Sequence, residues 1–198
     1  CKGKWTEANS PENRDSAYAM AKANTEKMIY EHAETEGSFE AMAILPLHVI
    51  GPLMCPNHDQ GWSWQNCMKQ MAQGNPYKKS RGGRMLWNNV DVRDVARAHR
   101  LCAETSTGKN GSRYILSATD RSGELFTWEL QALMKRLFPQ IATIGGEEMS
   151  DGHPSQSTYD SPRSYCTLAR QELGLTTYSI EDTVRDTIDS YLKLGLLN

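Results

Sequence analysis

The sequence has 198 residues, and its 38% hydrophobic content permits one domain with a buried core. With 22 basic against 24 acidic residues, the net charge of −2 offers no field that would attract nucleic acid or an anionic membrane. No stretch approaches the roughly 20 apolar residues that span a bilayer, the opening CKGKWTEANSPENRD has no leader-like pattern, and five scattered cysteines without CxxC spacing read as reduced thiols of a cytoplasmic protein.

Residues 1–15 read as a loop. With no Met at position 1, the chain is expected to be processed or to be a piece of a longer protein. Asp15 or Ser16 can cap a helix over 17–36 that stops before Gly37. Phe39–Leu45 is apolar, bounded by Gly37 and Pro46, and predicts a buried strand of a parallel sheet. A Pro-rich loop follows, then a helix around Ser63–Gln73 that ends at Gly74. The basic turn KKSRGGR leads into a strand over Met85–Val90, and Asp91 or Asp94 opens the next helix. After a turn at Gly108–Gly111, Arg113–Ser117 predicts another strand. A helix is expected from about Glu124 to Leu137 and a loop over 140–162. Helices near Ser164–Glu172 and Ile180–Leu194 close the chain. Alternating strands and helices predict an α/β fold. Two or three visible strands are too few for a self-sufficient doubly wound sheet.

The sharpest chemical signal is Tyr18-Ala-Met-Ala-Lys22 within the first predicted helix. The i, i+4 spacing sets the two side chains about 40° apart on one face. A phenol titrates near 10 and is a poor proton carrier at neutral pH. An ammonium at about 4–5 Å can supply the ~4 kcal/mol needed to lower that by ~3 units. Tyrosine with lysine at this spacing is therefore a device for moving a proton to or from a carbonyl oxygen. By itself YxxxK is a loose pattern; its alternative is a half-buried tyrosine anchor beside a solvated lysine.

The order of later segments narrows the choice. After the YxxxK helix come Pro46-Leu-His-Val-Ile-Gly-Pro52, Val90-Asp-Val-Arg-Asp94, Gly111-Ser-Arg-Tyr114 and Glu172-Leu-Gly-Leu175. Together these resemble the extended short-chain dehydrogenases, nearest the dihydroflavonol reductase and cinnamoyl-CoA reductase group, over roughly residues 6–197. The resemblance implies the C-terminal part of a Rossmann-like doubly wound parallel sheet plus a small α/β substrate-binding lobe. Segments 1–52 and 88–120 would belong to the dinucleotide-binding part, and 53–87 and 121–198 to the lobe.

It also implies that Tyr18 exchanges the proton with the carbonyl oxygen. Lys22 binds the nicotinamide ribose and eases proton loss from the tyrosine. The backbone of Pro46, Leu47, His48 and Val49 lies against the nicotinamide carboxamide. NADP(H) is expected ahead of NAD(H), with a small carbonyl or alcohol substrate and a homodimer as the wider family's habit. Sugar epimerases typically carry Arg and Asn where this chain has Leu45 and His48, and Pro46 matches the ketone and aldehyde reductases. An epimerase, dehydratase or hydroxysteroid dehydrogenase on the same frame is the enzyme alternative. A non-catalytic dinucleotide-fold regulator is the other.

Some features depart from the pattern. Arg14-Asp-Ser-Ala-Tyr18 stands where cinnamoyl-CoA reductases carry Asn-Trp-Tyr-Cys-Tyr, and Ala21 stands where serine is frequent. No GxxGxxG phosphate loop is present, and Gly82-Gly83 and Gly145-Gly146 read as turns. Roughly 140 residues, holding that loop and the family's upstream Ser/Thr, are expected before this segment. An apolar strand deprived of its neighbour is an aggregation hazard, so the segment alone is expected to be poorly soluble and inactive. His48, Cys55, His58 and Asp59 fit no common zinc spacing. Met68 and Met71 read as core by their helical spacing, and the segment that holds them with Met54, Trp62 and Trp64 has an apolar substrate wall as its alternative reading. Lys78, Lys79, Arg81 and Arg84 read as a solvated cluster with a phosphate contact as the alternative. Asp94 reads as a cap or tether.

Overall fold

The computed structural model describes residues 17–59, 61, 63–75, 86–108, 110–118, 124–146 and 166–197. The first helix, α1 (Ala17–Glu36), ends where the sequence predicts, because Gly37 takes the left-handed conformation (φ 63°) and donates its N–H to Ala33 O at 3.0 Å. Strand β1 (Met42–Pro46) begins three residues later than the predicted start at Phe39, includes Pro46, and is only partly buried. Phe39 stays 44% exposed, stacked against His32 of α1 with ring centroids 5.8 Å apart. Pairing explains the late start: the first register partners are Met42 and Ser112, so no neighbour extends the ladder to Phe39.

After Leu47 the chain changes partners. β1 runs parallel to β4 (Ser112–Leu116), and Leu47 N still donates to Leu116 O at 3.0 Å. The next residues form β2 (His48–Ile50), parallel to β3 (Leu86–Asp91). β3 in turn pairs antiparallel with β5 (Glu124–Phe126). The predicted helix from Glu124 is thus corrected: Glu124–Phe126 is strand, and α4 (Thr127–Leu137) starts at Thr127. Glu129 reaches back to accept the Phe126 N–H at 2.7 Å, so the helix start is capped from its third position.

The remaining helices follow their local signals. Ser63 Oγ accepts the Asn66 N–H at 3.0 Å and opens α2 (Trp64–Ala72). Asp91 accepts the Arg93 N–H at 2.8 Å and opens α3 (Val92–Glu104). α5 (Thr167–Leu173) ends at left-handed Gly174, and Ser179 caps α6 (Ile180–Lys193). The turn over Lys78–Arg84, most of the 140–162 loop and Trp62 lie outside the described residues.

Two cores flank the point where β1 hands over to β2. One is built by α2, α4 and α6 on the face of β2 and β3, around Ile50, Met68, Met71, Trp87, Met134 and Ile188. The other joins α3 and α5 to β4, around Val90, Ala98, Tyr114, Leu116 and Leu173. Alternation along β2 divides its side chains between them: Ile50 enters the first, and Val49 packs on the second. The architecture is α/β, with parallel strands and helices in the Rossmann-like manner. Among the described residues, no helix is long and apolar enough to cross a membrane.

Candidate active site

Two long-range ties orient α1 on the sheet. Glu26 receives Arg113 Nε at 2.7 Å, and the Tyr30 hydroxyl lies 3.1 Å from Ser112 O and 3.2 Å from Glu26 Oε1. Burial first, and then the Glu26 charge, hold the Tyr30 phenol protonated well above the ordinary range. Higher numbers on α1 meet lower numbers on β4, so the helix runs antiparallel to the strand. Tyr18 precedes Glu26 by eight residues, about 12 Å of helix. Arg113 to Leu116 covers about 10 Å of strand in the same direction. Tyr18 therefore stands level with the C-terminal ends of β1 and β4, the end at which open α/β sheets bind their ligands.

At that level the fold leaves Tyr18 and Lys22 unspent. Tyr18 is 74% exposed, and the Lys22 Nζ lies 5.8 Å from the centre of its ring. Among the described residues, neither side chain takes part in a hydrogen bond or ion pair of the fold. The pair sits at the border of the packed face, since Ala23 next in sequence is buried. The i, i+4 spacing thus sets the two groups side by side on α1.

The four loop residues fall on both sides of the strand exchange. Pro46 ends β1, Leu47 stands between the two strands, and His48 and Val49 open β2. The structure adds what the sequence did not suggest for His48. Its Nδ1 accepts the Asn88 N–H at 3.0 Å, and its ring stands 4.0 Å from Trp64 and 5.6 Å from Trp87 between centroids. Burial lowers its pKa to about 4, so the imidazole is neutral at ordinary pH, with its proton on Nε2. Trp87 is itself fixed by Nε1 donating to Thr127 Oγ1 at 3.0 Å. The one hint in the sequence was the polar pair Asn88-Asn89 directly after Trp87, in a strand otherwise expected to be apolar.

Behind the loop, Gly51 (φ 137°) lies against the start of α3. A Cβ there would meet Val92 Cγ1 at 2.8 Å and Val92 N at 3.1 Å, so any larger residue would push the loop off the helix. Asp91, fully desolvated at its side chain, is gripped by Arg93, which also reaches Asp186 of α6 at 2.7 Å. Asp94 is a tether: it is buried and accepts the Tyr178 N–H at 2.9 Å, while Asp91 does the capping. Asp59 is occupied by Asn66 and Lys69. Met68 and Met71 are core, as their spacing predicts, and Trp64 is half-buried against His48.

The profile of the NAD dependent epimerase/dehydratase family matches residues 2–117. The chain belongs to that family. A putative uncharacterized oxidoreductase of Schizosaccharomyces pombe is 26% identical over 201 residues, covering 96% of this chain and 54% of that protein. The chain thus spans about half the length of the curated relative it matches. Similar folds include WbmF of Bordetella bronchiseptica, solved with NAD+ and UDP (TM-score 0.71, 20% identity, 98% of this chain and 58% of that one). Another is the yeast methylglyoxal/isovaleraldehyde reductase Gre2, solved with NADPH (TM-score 0.71, 21% identity, 98% and 55%). Gre2 of Candida albicans with NADPH gives TM-score 0.71 at 24% identity, over 97% and 55%. At these identities the likeness is one of fold.

Proposed function

We propose that the protein is an NAD(P)H-dependent reductase of a ketone or aldehyde, or the reverse alcohol dehydrogenase, with Tyr18 as its acid and base. The observation that carries this reading is the Tyr18–Lys22 pair, left without fold partners at the ligand-binding end of the parallel strands. Family membership, and the reductases among the proteins of similar fold, support it.

The donor set suits a nicotinamide dinucleotide. An ammonium and a phenol, both unspent, can donate to ribose hydroxyls and to a substrate oxygen. Lys22 would hold the ribose, and the backbone of Pro46, Leu47, His48 and Val49 would face the nicotinamide. The reduced cofactor, when bound, supplies the hydride to the carbonyl carbon. Tyr18 Oη gives its proton to the carbonyl oxygen as the C=O π bond becomes the alcohol. Solvent then returns a proton to Tyr18. In the oxidising direction Tyr18 takes the hydroxyl proton instead. NADP(H) ahead of NAD(H) and the kinship with dihydroflavonol and cinnamoyl-CoA reductases rest on the resemblance in sequence, and a cytoplasmic setting rests on the scattered cysteines without CxxC spacing.

The same proposal takes this chain as the C-terminal part of a longer enzyme. Among the described residues β1 is paired along one edge, and the matched relative is nearly twice as long. Segments 1–52 and 88–120 would complete the dinucleotide domain, and 53–87 and 121–198 would form the substrate lobe. Met28 and Ile29, 67% and 48% exposed on the outer side of α1, support a homodimer contact there.

The test is NADPH oxidation by the full-length protein with a panel of ketones and aldehydes, with Tyr18→Phe as control. Turnover that collapses in the variant bears the proposal out. NADPH binding without turnover of any carbonyl would shift the assignment to the epimerase or regulator alternative.

A further inference from the structure

The chain leaves β2 under the grip of the last helix. The ladder with β3 ends at Ile50, whose register partner is Asp91. Gly51 is wedged against Val92, and Pro52 has no N–H to give. Leu53 supplies the next donor, and its N–H goes to Ser190 Oγ of α6 at 3.0 Å, a buried bond between residues 137 positions apart. Met54, next in sequence, is 87% exposed. The Leu53–Ser190 bond thus sits where the segment passes from the interior to the surface.

Ser190 is suited to that bond. A serine inside a helix can turn its hydroxyl proton back on a carbonyl of the preceding turn, and Ser190 does so, donating to Thr187 O at 2.7 Å. The proton so placed leaves the oxygen lone pairs for the Leu53 N–H. Thr187, fully buried on the same helix, is the contrast: its hydroxyl donates to Thr183 O at 2.6 Å and, among the described residues, reaches no other element. A second tie runs one turn earlier on α6. Asp186 holds Arg93, Arg93 holds Asp91, and Asp91 stands beside Ile50 in the ladder. Helix α6 therefore grips residues 50–53 at two levels, directly after Pro46, Leu47, His48 and Val49.

Resting on the reading that the backbone of those four residues faces the nicotinamide, we infer that Ser190 is a positioning residue for the cofactor, its hydroxyl anchoring the downstream end of the cofactor-facing segment to α6 through the Leu53 N–H. Ser190 acts through the backbone and not by contact with the nucleotide. Helix α6 then does more than close the core with α2 and α4: it sets how far the segment can move when the nicotinamide arrives.

The experiment measures NADPH and NADH affinity by cofactor fluorescence in the full-length protein, for the wild type, Ser190→Ala and Thr187→Val. Both substitutions remove one buried hydroxyl from α6, and only the first leaves the Leu53 N–H without its acceptor. A merely structural role would lower the thermal midpoint and leave affinity alone. The dissociation constant is expected to rise about fivefold in Ser190→Ala and to stay within about twofold in Thr187→Val. Ser190→Cys, close in size but with a weaker acceptor, is expected to fall between, and it carries the same comparison if Ser190→Ala does not fold. Equal affinity in the Ser190 variants and the wild type overturns the inference and leaves the cofactor reading standing. A wild type that binds neither nucleotide overturns that reading, and the inference with it.

Amide hydrogen exchange without cofactor gives a second readout. Exchange over residues 47–51 is expected to quicken about tenfold in Ser190→Ala and not in Thr187→Val. Quickening confined to Leu53 would show that the anchor holds only its own residue, and overturns the inference.

Discussion

The first and last helices of the chain make opposite uses of their side chains. Over its 20 residues α1 buries only Ala23 and Ala33, and leaves Tyr18, Met28 and Ile29 exposed. The shorter α6 buries seven of its residues, among them Val184, Ile188 and Tyr191, and is capped by Ser179. α6 is held by apolar burial along its length, whereas α1 is held to the sheet by Tyr30 and by the Glu26–Arg113 pair. A helix consumed by packing has nothing left for a ligand; a helix tied at few points keeps its reactive groups free. Chemistry and stability should therefore separate cleanly between the two.

The largest expected effect tests the chemical side. Tyr18→Phe removes one exposed hydroxyl with no fold partner among the described residues. In the full-length protein it should lower kcat about 10²- to 10⁴-fold and leave the thermal midpoint unchanged. A variant that loses activity only in proportion to its stability would break the contrast. Ile188→Ala is the mirror experiment. Ile188 is fully buried between α6 and the β3 face, so the substitution should cost about 3 kcal/mol in denaturant unfolding, with kcat intact for the fraction that stays folded.

Between the extremes lies His48, which belongs to both regions. Its pKa is about 4 in the folded protein, lowered by burial, while an unfolded histidine titrates near 6.5. Above about 6.5 neither state binds the proton and its contribution to stability is constant. As pH falls from there toward 4, the unfolded state alone takes it up, so stability drops by up to about 3 kcal/mol. Unfolding measured between those pH values should show a shallower slope in His48→Asn than in the wild type.

How much of this was legible in the sequence depends on how local the cause is. The end of α1 at Gly37, the Ser63 and Asp91 caps and the stop at Gly74 each depend on residues within a few positions, and they are read directly. The start of β1 is set by where Ser112 meets Met42, and the strand at Glu124–Phe126 exists only because β3 pairs with it. Both are partnerships across the chain, invisible to periodicity over three to five residues. The Tyr18–Lys22 pair was visible because both members share one helix turn. The setting of His48 was not, because its hydrogen bond comes from Asn88 and its flanking rings from Trp64 and Trp87 on separate elements.

The smallest predicted effect is also the one that joins the two regions. Glu26→Gln keeps the shape of the side chain but removes the charge that receives Arg113. The pair is largely buried, 10% and 14% exposed at the side chains. Loss of a charge-assisted bond of this kind should cost about 2 kcal/mol, less than a core truncation. Its second consequence is geometric. With the strongest tie between α1 and β4 weakened, the turns before Tyr30 are free to tilt, and they carry Tyr18 about 18 Å from that remaining anchor. Positioning errors of about 1 Å can cost a hundredfold in rate, so kcat should fall by more than KM rises. Arg113→Lys, which retains a charge for Glu26 but lacks the guanidinium fork, should give an intermediate loss. Equal activity in Glu26→Gln and the wild type, despite the lower stability, would show that α1 keeps its register without the ion pair and that the Tyr30 hydroxyl suffices to aim the tyrosine.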